Sequence, residues 1–170
     1  MSKKPEFTWD ETTGVCSCII FLDDFLQGFG MAQCADEDRD VFSEKTGMHI
    51  AELRAQIDLL QKYKNNILRP GMKALEHLKS TMVHSPRFNQ ESYEAKRLNV
   101  EIKNYQKDIA DINEAIYAAK QNLYDYIDLH EKIAKRIREK DHAGYKDEDS
   151  ERIINELNFY EKVIKNDSQS

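Results

Sequence analysis

The pattern of apolar and polar positions divides the chain into a short β-prone part and a long helical part. Gly14 to Leu22 and Phe25 to Cys34 are two runs rich in β-branched and aromatic residues, and Asp23-Asp24 between them supplies turn chemistry. A two-residue turn there sets Leu22 opposite Phe25, Ile20 opposite Gln27, Cys18 opposite Phe29 and Cys16 opposite Met31. One face of the hairpin then carries Cys16, Cys18, Ile20, Leu22, Phe25, Phe29 and Met31, and Cys34 takes the parity of the other. Both faces have apolar content. Because two strands alone are marginal, a helix should cover one face and a second chain or a further strand the other; Phe7 to Asp10 is the candidate strand.

Beyond residue 43 the period changes. Ser43 and Thr46 are candidate N-caps for a helix with apolar residues at Ile50, Leu53, Ile57, Leu60 and Ile67, continuing at Leu68, Met72, Leu75 and Met82. Pro70 removes a backbone donor and crowds the preceding turn, so Arg69-Pro70-Gly71 predicts a kink or short break. His84 to Asn89 reads as a loop. After it, Leu98, Ile102, Tyr105, Ile109, Ile112, Ile116, Ala119, Leu123, Tyr126, His130, Ile133 and Ile137 follow alternating steps of four and three, the repeat of a coiled-coil seam. A helix over about 90–140 would be roughly 75 Å long at 1.5 Å per residue. A last amphipathic stretch carries Ile153, Leu157, Tyr160 and Ile164. The expected fold is mainly α with a small N-terminal β-hairpin (α+β), a long antiparallel coiled-coil helical hairpin and a C-terminal helix. The expected parts are an acidic β-hairpin head over 1–47, the long helical hairpin over 48–143, and the C-terminal helix with a frayed tail over 144–170.

Charge sharpens the division. The chain of 170 residues carries a net charge of −6. Residues 1–47 hold four basic and ten acidic groups, which accounts for the whole of it, and the remainder is neutral. An acidic head repels phosphates, so nucleic acid is not an expected partner. The stretch 130–140 is basic through Lys132, Lys135, Arg136, Arg138 and Lys140. It is expected to run alongside the acidic loop Asp36, Glu37, Asp38 and Asp40, where internal charge pairing outweighs a phosphate site. With 40% hydrophobic residues, no apolar run of membrane-span length and no apolar leader after Met1, the sequence predicts a soluble cytoplasmic protein.

Catalytic chemistry is not apparent. There is no nucleophile elbow, no His-Glu-x-x-His, no Walker loop and no G-x-G-x-x-G. Gly28-Phe29-Gly30 lies inside a strand pattern, where glycines mark a bulge or a close backbone approach. Cys16, Cys18 and Cys34 lack a fourth ligand at zinc-site spacing and read as buried reduced thiols, so no metal and no cofactor is expected. Tyr105, Tyr126 and His130 read as rings filling the seam.

The stretch Gly30-Met-Ala-Gln-Cys34, with Asp36-Glu-Asp38, Phe42 to Gly47, Ile50-Ala51 and Arg54-Ala55, resembles a pattern in small accessory proteins of phages and prophages of Gram-positive bacteria. The likeness covers residues 14–60. It implies an accessory phage protein that works in the bacterial cytoplasm and modulates host machinery, including defence systems. The expected function is thus a non-enzymatic interaction protein that forms a homo-oligomer, a dimer first, and binds a host protein through Asp36, Glu37, Asp38 and Asp40. An oligomer that sequesters a nucleotide or other small ligand through Arg54, Arg136, Arg138 or Lys140 is the alternative, followed by a nucleic-acid-associated or virion assembly factor.

Overall fold

The computed structural model describes residues 4–34, 44–85, 89–90 and 92–142. Three strands come first: β1 (Glu6–Asp10), β2 (Val15–Phe21) and β3 (Gln27–Gln33). They form an antiparallel sheet in the order β1-β2-β3. Three helices follow: α1 (Glu44–Tyr63), α2 (Arg69–Val83) and α3 (Tyr93–His142). The protein is therefore mainly helical with a small N-terminal antiparallel sheet, and Phe7 to Asp10 does form a strand. The amphipathic stretch after residue 143 lies outside the described residues.

The sheet corrects the expected pairing by one residue. Cys16 stands opposite Ala32, Cys18 opposite Gly30 and Ile20 opposite Gly28. The cause is local. Asp23 Oδ1 accepts hydrogen bonds from the backbone N–H groups of Phe25 (2.8 Å) and Leu26 (2.6 Å), and Leu22 N–H donates to the Leu26 carbonyl at 3.0 Å. The connection is thus a three-residue turn, Asp23 to Phe25. Because side chains alternate along a strand, a slip of one residue moves every β3 side chain to the other face. Phe29 and Met31 leave the face of Cys16 and Cys18, while Gly28, Gly30, Ala32 and Cys34 join it. Asp10 does the same work at the β1–β2 turn, accepting from Thr12 at 2.9 Å and Thr13 at 3.3 Å. The Thr13 hydroxyl, together with these two N–H groups, holds its carboxyl below the usual carboxylate range.

This exchange of faces is what seats α1. A Cβ on Gly30 would lie 1.9 Å from the Ala51 carbonyl oxygen, and one on Gly28 2.1 Å from that of Ala55. Hydrogen at these positions lets the helix backbone rest almost on the strand. The core of the head closes around the contact with Cys16, Cys18, Ala32, Ile50, Ala51, Ala55 and Ile57, joined from α3 by Leu123 and Tyr126.

α3 returns antiparallel to α1 and α2. Tyr126 meets His49, Asn113 accepts a hydrogen bond from Lys64 Nζ at 3.0 Å, and the Tyr105 ring lies over Gly71. The Ser92 hydroxyl caps its first turn, accepting from Ala95 N–H at 3.2 Å. All twelve seam positions from Leu98 to Ile137 are buried or half-buried. With 50 residues, α3 is about 75 Å long.

Of the kink or short break expected at Arg69-Pro70-Gly71, the break does not occur. One π-helical turn, Lys64–Leu68, joins α1 to α2 with helical backbone on both sides. Proline cannot donate to the carbonyl one turn back, and widening the preceding turn accommodates the loss while the helix continues.

Candidate interaction surface of the head

β3 is an edge strand, and its outer edge is closed by one row of α1 side chains. Arg54 donates from Nη1 to the Met31 carbonyl. Asp58 Oδ2 accepts from Phe29 N–H at 2.8 Å, and Lys62 Nζ donates to the Gln27 carbonyl at 3.2 Å. Helix positions four apart match strand positions two apart, so each side chain reaches one backbone group. Lys62 and Asp58 also pair at 2.7 Å. Arg54, expected as an alternative ligand-binding arginine, lies at the strand edge with its Nη1 on the Met31 carbonyl. Charged caps of this kind blunt pairing with another chain.

The thiols are equally committed. Cys16 and Cys18 are fully buried, and Cys34 is buried beside Gly14. The Cys16 thiol donates to the Glu44 carbonyl at 3.7 Å. Burial, helped by the charge of Glu44, pushes its pKa up to about 11. Burial with Glu52 nearby does the same for Cys18, to about 11. At neutral pH both are protonated and poor nucleophiles. Among the described residues, no three His, Cys, Asp or Glu side chains converge as metal ligands would.

Where α1 meets α3, Tyr126 lies between two histidines, with ring centroids 4.5 Å from His49 and 4.4 Å from His130. Of the basic candidates on α3, Arg136 and Arg138 are exposed; the Lys140 side chain, like Asp36, Glu37, Asp38 and Asp40, lies outside the described residues.

What the head offers outward is apolar. Phe25, at the β2–β3 turn, is 97% exposed, and Leu22 beside it is also exposed. Sequence reasoning placed Phe25 inside a strand, on a covered face. The Asp23 side chain was the signal, because a carboxylate able to bond two following N–H groups favours a longer, ordered turn.

No family model matches the chain, and neither characterised proteins nor solved structures give a match. Among the described residues, no helix is long and apolar enough to cross a membrane.

Proposed function

We propose that this chain is a non-enzymatic interaction protein whose head binds another protein and whose helical arm, an antiparallel coiled coil, pairs with a second copy. The observation that carries this reading is Phe25. It is a large apolar ring, 97% exposed, on a turn that the Asp23 carboxylate organises through two backbone hydrogen bonds. An exposed aromatic on an ordered turn is the type of side chain that anchors in a partner's pocket, because it brings a large apolar area with few rotatable bonds. Asp23 and Asp24 flank it, so the matching surface is an apolar pocket with a basic rim, approached with a salt-dependent on-rate. The resemblance of residues 14–60 to phage accessory proteins supports a bacterial host protein as the partner, defence machinery among the targets.

The test begins with recovery of the partner from bacterial lysate and measurement of its affinity. Phe25→Ala is expected to weaken binding at least about thirtyfold, the effect of an interface hot spot of about 2 kcal/mol. The melting temperature should not move, because so exposed a ring contributes little to the core. Unchanged affinity would remove Phe25 from the interface. Light scattering at micromolar concentration is expected to give twice the 19.9 kDa of one chain.

A further inference from the structure

The two edges of the sheet differ. On β3, the Phe29 N–H and the Gln27 and Met31 carbonyls meet side chains of α1. Because main-chain groups alternate along an antiparallel strand, Gly28, Gly30 and Ala32 bond to β2, at Ile20, Cys18 and Cys16. The intervening residues of β2, Val15, Ser17 and Ile19, bond to Asp10, Thr8 and Glu6. That leaves the main-chain groups of Phe7 and Trp9 turned away from β2, on the outer edge of β1. Among the described residues, no hydrogen bond reaches them there. Pro5 has the same parity, so its missing N–H takes nothing from the ladder.

The side chains along this edge select what fits it. Phe7 and Trp9 lie opposite Cys18 and Cys16, on the covered face, where Phe7 is still 38% exposed. Glu6, Thr8 and Asp10, with Lys4 just before the strand, alternate onto the other face. Charges on a short edge strand ordinarily discourage pairing. Here they are self-complementary, because Lys4 and Asp10 stand equally far from Phe7 on either side. Two copies of β1 laid antiparallel about Phe7 set each Lys4 against the partner's Asp10 and each Glu6 against the partner's Thr8. Each Phe7 N–H then donates to the carbonyl of the partner's Phe7, and each Trp9 N–H to that of the partner's Pro5. Centring the pair on Thr8 would instead set each Glu6 against the partner's Asp10, like charges directly opposite.

We infer that β1 pairs antiparallel with β1 of a second copy, centred on Phe7, so that two heads share one continuous sheet. The seam from Lys4 to Asp10 is about 23 Å long. One strand pairing of that length covers much less than the roughly 800 Å² that each partner buries in a stable complex. The inference therefore rests on the pairing of two copies proposed for the arm, and gives that pair its contact in the head.

Amide hydrogen exchange on the full chain tests this, with light scattering run on the same samples. Where the mass is twice the 19.9 kDa of one chain, the Phe7 and Trp9 amides are expected to exchange at least about tenfold more slowly than after dilution to single chains. Amides of the arm are bonded within their own helices, so these two report on the head alone. Phe7→Pro removes the outward donor and leaves the bonds between β1 and β2 in place. It should abolish the protection of Trp9 and weaken association at least about tenfold relative to Phe7→Ala, which loses the ring only. Lys4→Asp should weaken association severalfold at low salt and less at high salt. Unchanged protection of α1 shows that the head stays folded in each variant. Doubled mass with fast exchange at Phe7 and Trp9 would overturn the inference and leave the arm contact standing, whereas the mass of one chain at every concentration would overturn both. Protection that persists in single chains would also overturn it, as would equal association of Phe7→Pro and Phe7→Ala.

Discussion

In the head, α1 rests on Gly28 and Gly30 so closely that a single methyl group would collide with its backbone, and its side chains stitch the edge of β3. In the arm, among the described residues, α2 buries no residue fully and Leu78 is half-exposed, while the buried and half-buried positions of α3 repeat along one side. The head draws its cohesion from backbone proximity and pairing of main-chain groups, which permit one geometry. The arm draws it from a long row of separate apolar contacts, each of which can adjust. The same glycine-to-alanine change should therefore have different consequences at the two ends of the molecule.

Gly30→Ala is the hardest test. Its Cβ would meet backbone atoms, the Ala51 oxygen at 1.9 Å and the Ala55 nitrogen at 2.4 Å, so relief requires lifting the whole helix. Overpacking of this kind costs about 3 kcal/mol. Denaturant titration followed by the fluorescence of Trp9, the only tryptophan, which packs against the head core, should show it. A loss below about 1 kcal/mol would mean that the helix sits less tightly than described.

Alkaline pH is the next lever, and through Cys16 and Cys18 it acts on the head. Cys16 and Cys18 have folded-state pKa values near 11 against an ordinary value of 9.0. Above pH 9 the unfolded chain gives up these protons while the folded chain retains them. The unfolded state then binds fewer protons, and stability falls as pH rises from about 9 to 11. Below pH 9 the two thiols contribute no pH dependence. Alkylation at pH 8 should be slow in the native protein and rapid in denaturant, and fast labelling of either thiol in native protein would contradict the burial.

Gly71→Ala gives the matching perturbation in the arm. Its Cβ would meet the tip of the Tyr105 ring at 2.8 Å, a milder overlap than the 1.9 Å at Gly30 and with a side chain rather than backbone. That tip can move, so the cost should be about 1 kcal/mol, and Tyr105→Ala in the same chain should remove most of it. Equal losses for Gly30→Ala and Gly71→Ala would erase the distinction between rigid head and adjustable arm. Arg54→Ala should have the smallest effect, below about 1 kcal/mol, because it deletes one partly solvated hydrogen bond. Its sharper consequence is an uncapped edge at Met31, seen as slow aggregation at high protein concentration.

Much of this architecture was legible in the chain. The steps of four and three from Leu98 to Ile137 fix which side of α3 is covered, because a helix has one period and no register to choose. The β-prone runs and the loop after Val83 could be read for similar reasons. The strand register could not, since it depended on whether Asp23 closes two residues or three, and one residue decides which side chains of β3 meet a helix. Nor could the outcome at Pro70, where packing against α3 on both sides favours one widened turn over a break. Phe25 as an exposed anchor followed from the same misjudged turn.

The sequence by itself determined the helical periods, the acidic character of the head and the small residues at positions 28, 30, 51 and 55. These are properties of local spacing and composition, carried by each segment without its neighbours. Only the tertiary structure decided that Gly28 and Gly30 face Ala51 and Ala55, that Arg54, Asp58 and Lys62 serve the edge of β3, and that Phe29 and Met31 are left facing outward. The first two join residues more than twenty positions apart and the third follows from the β2–β3 register, so each is settled by the register and packing of whole elements.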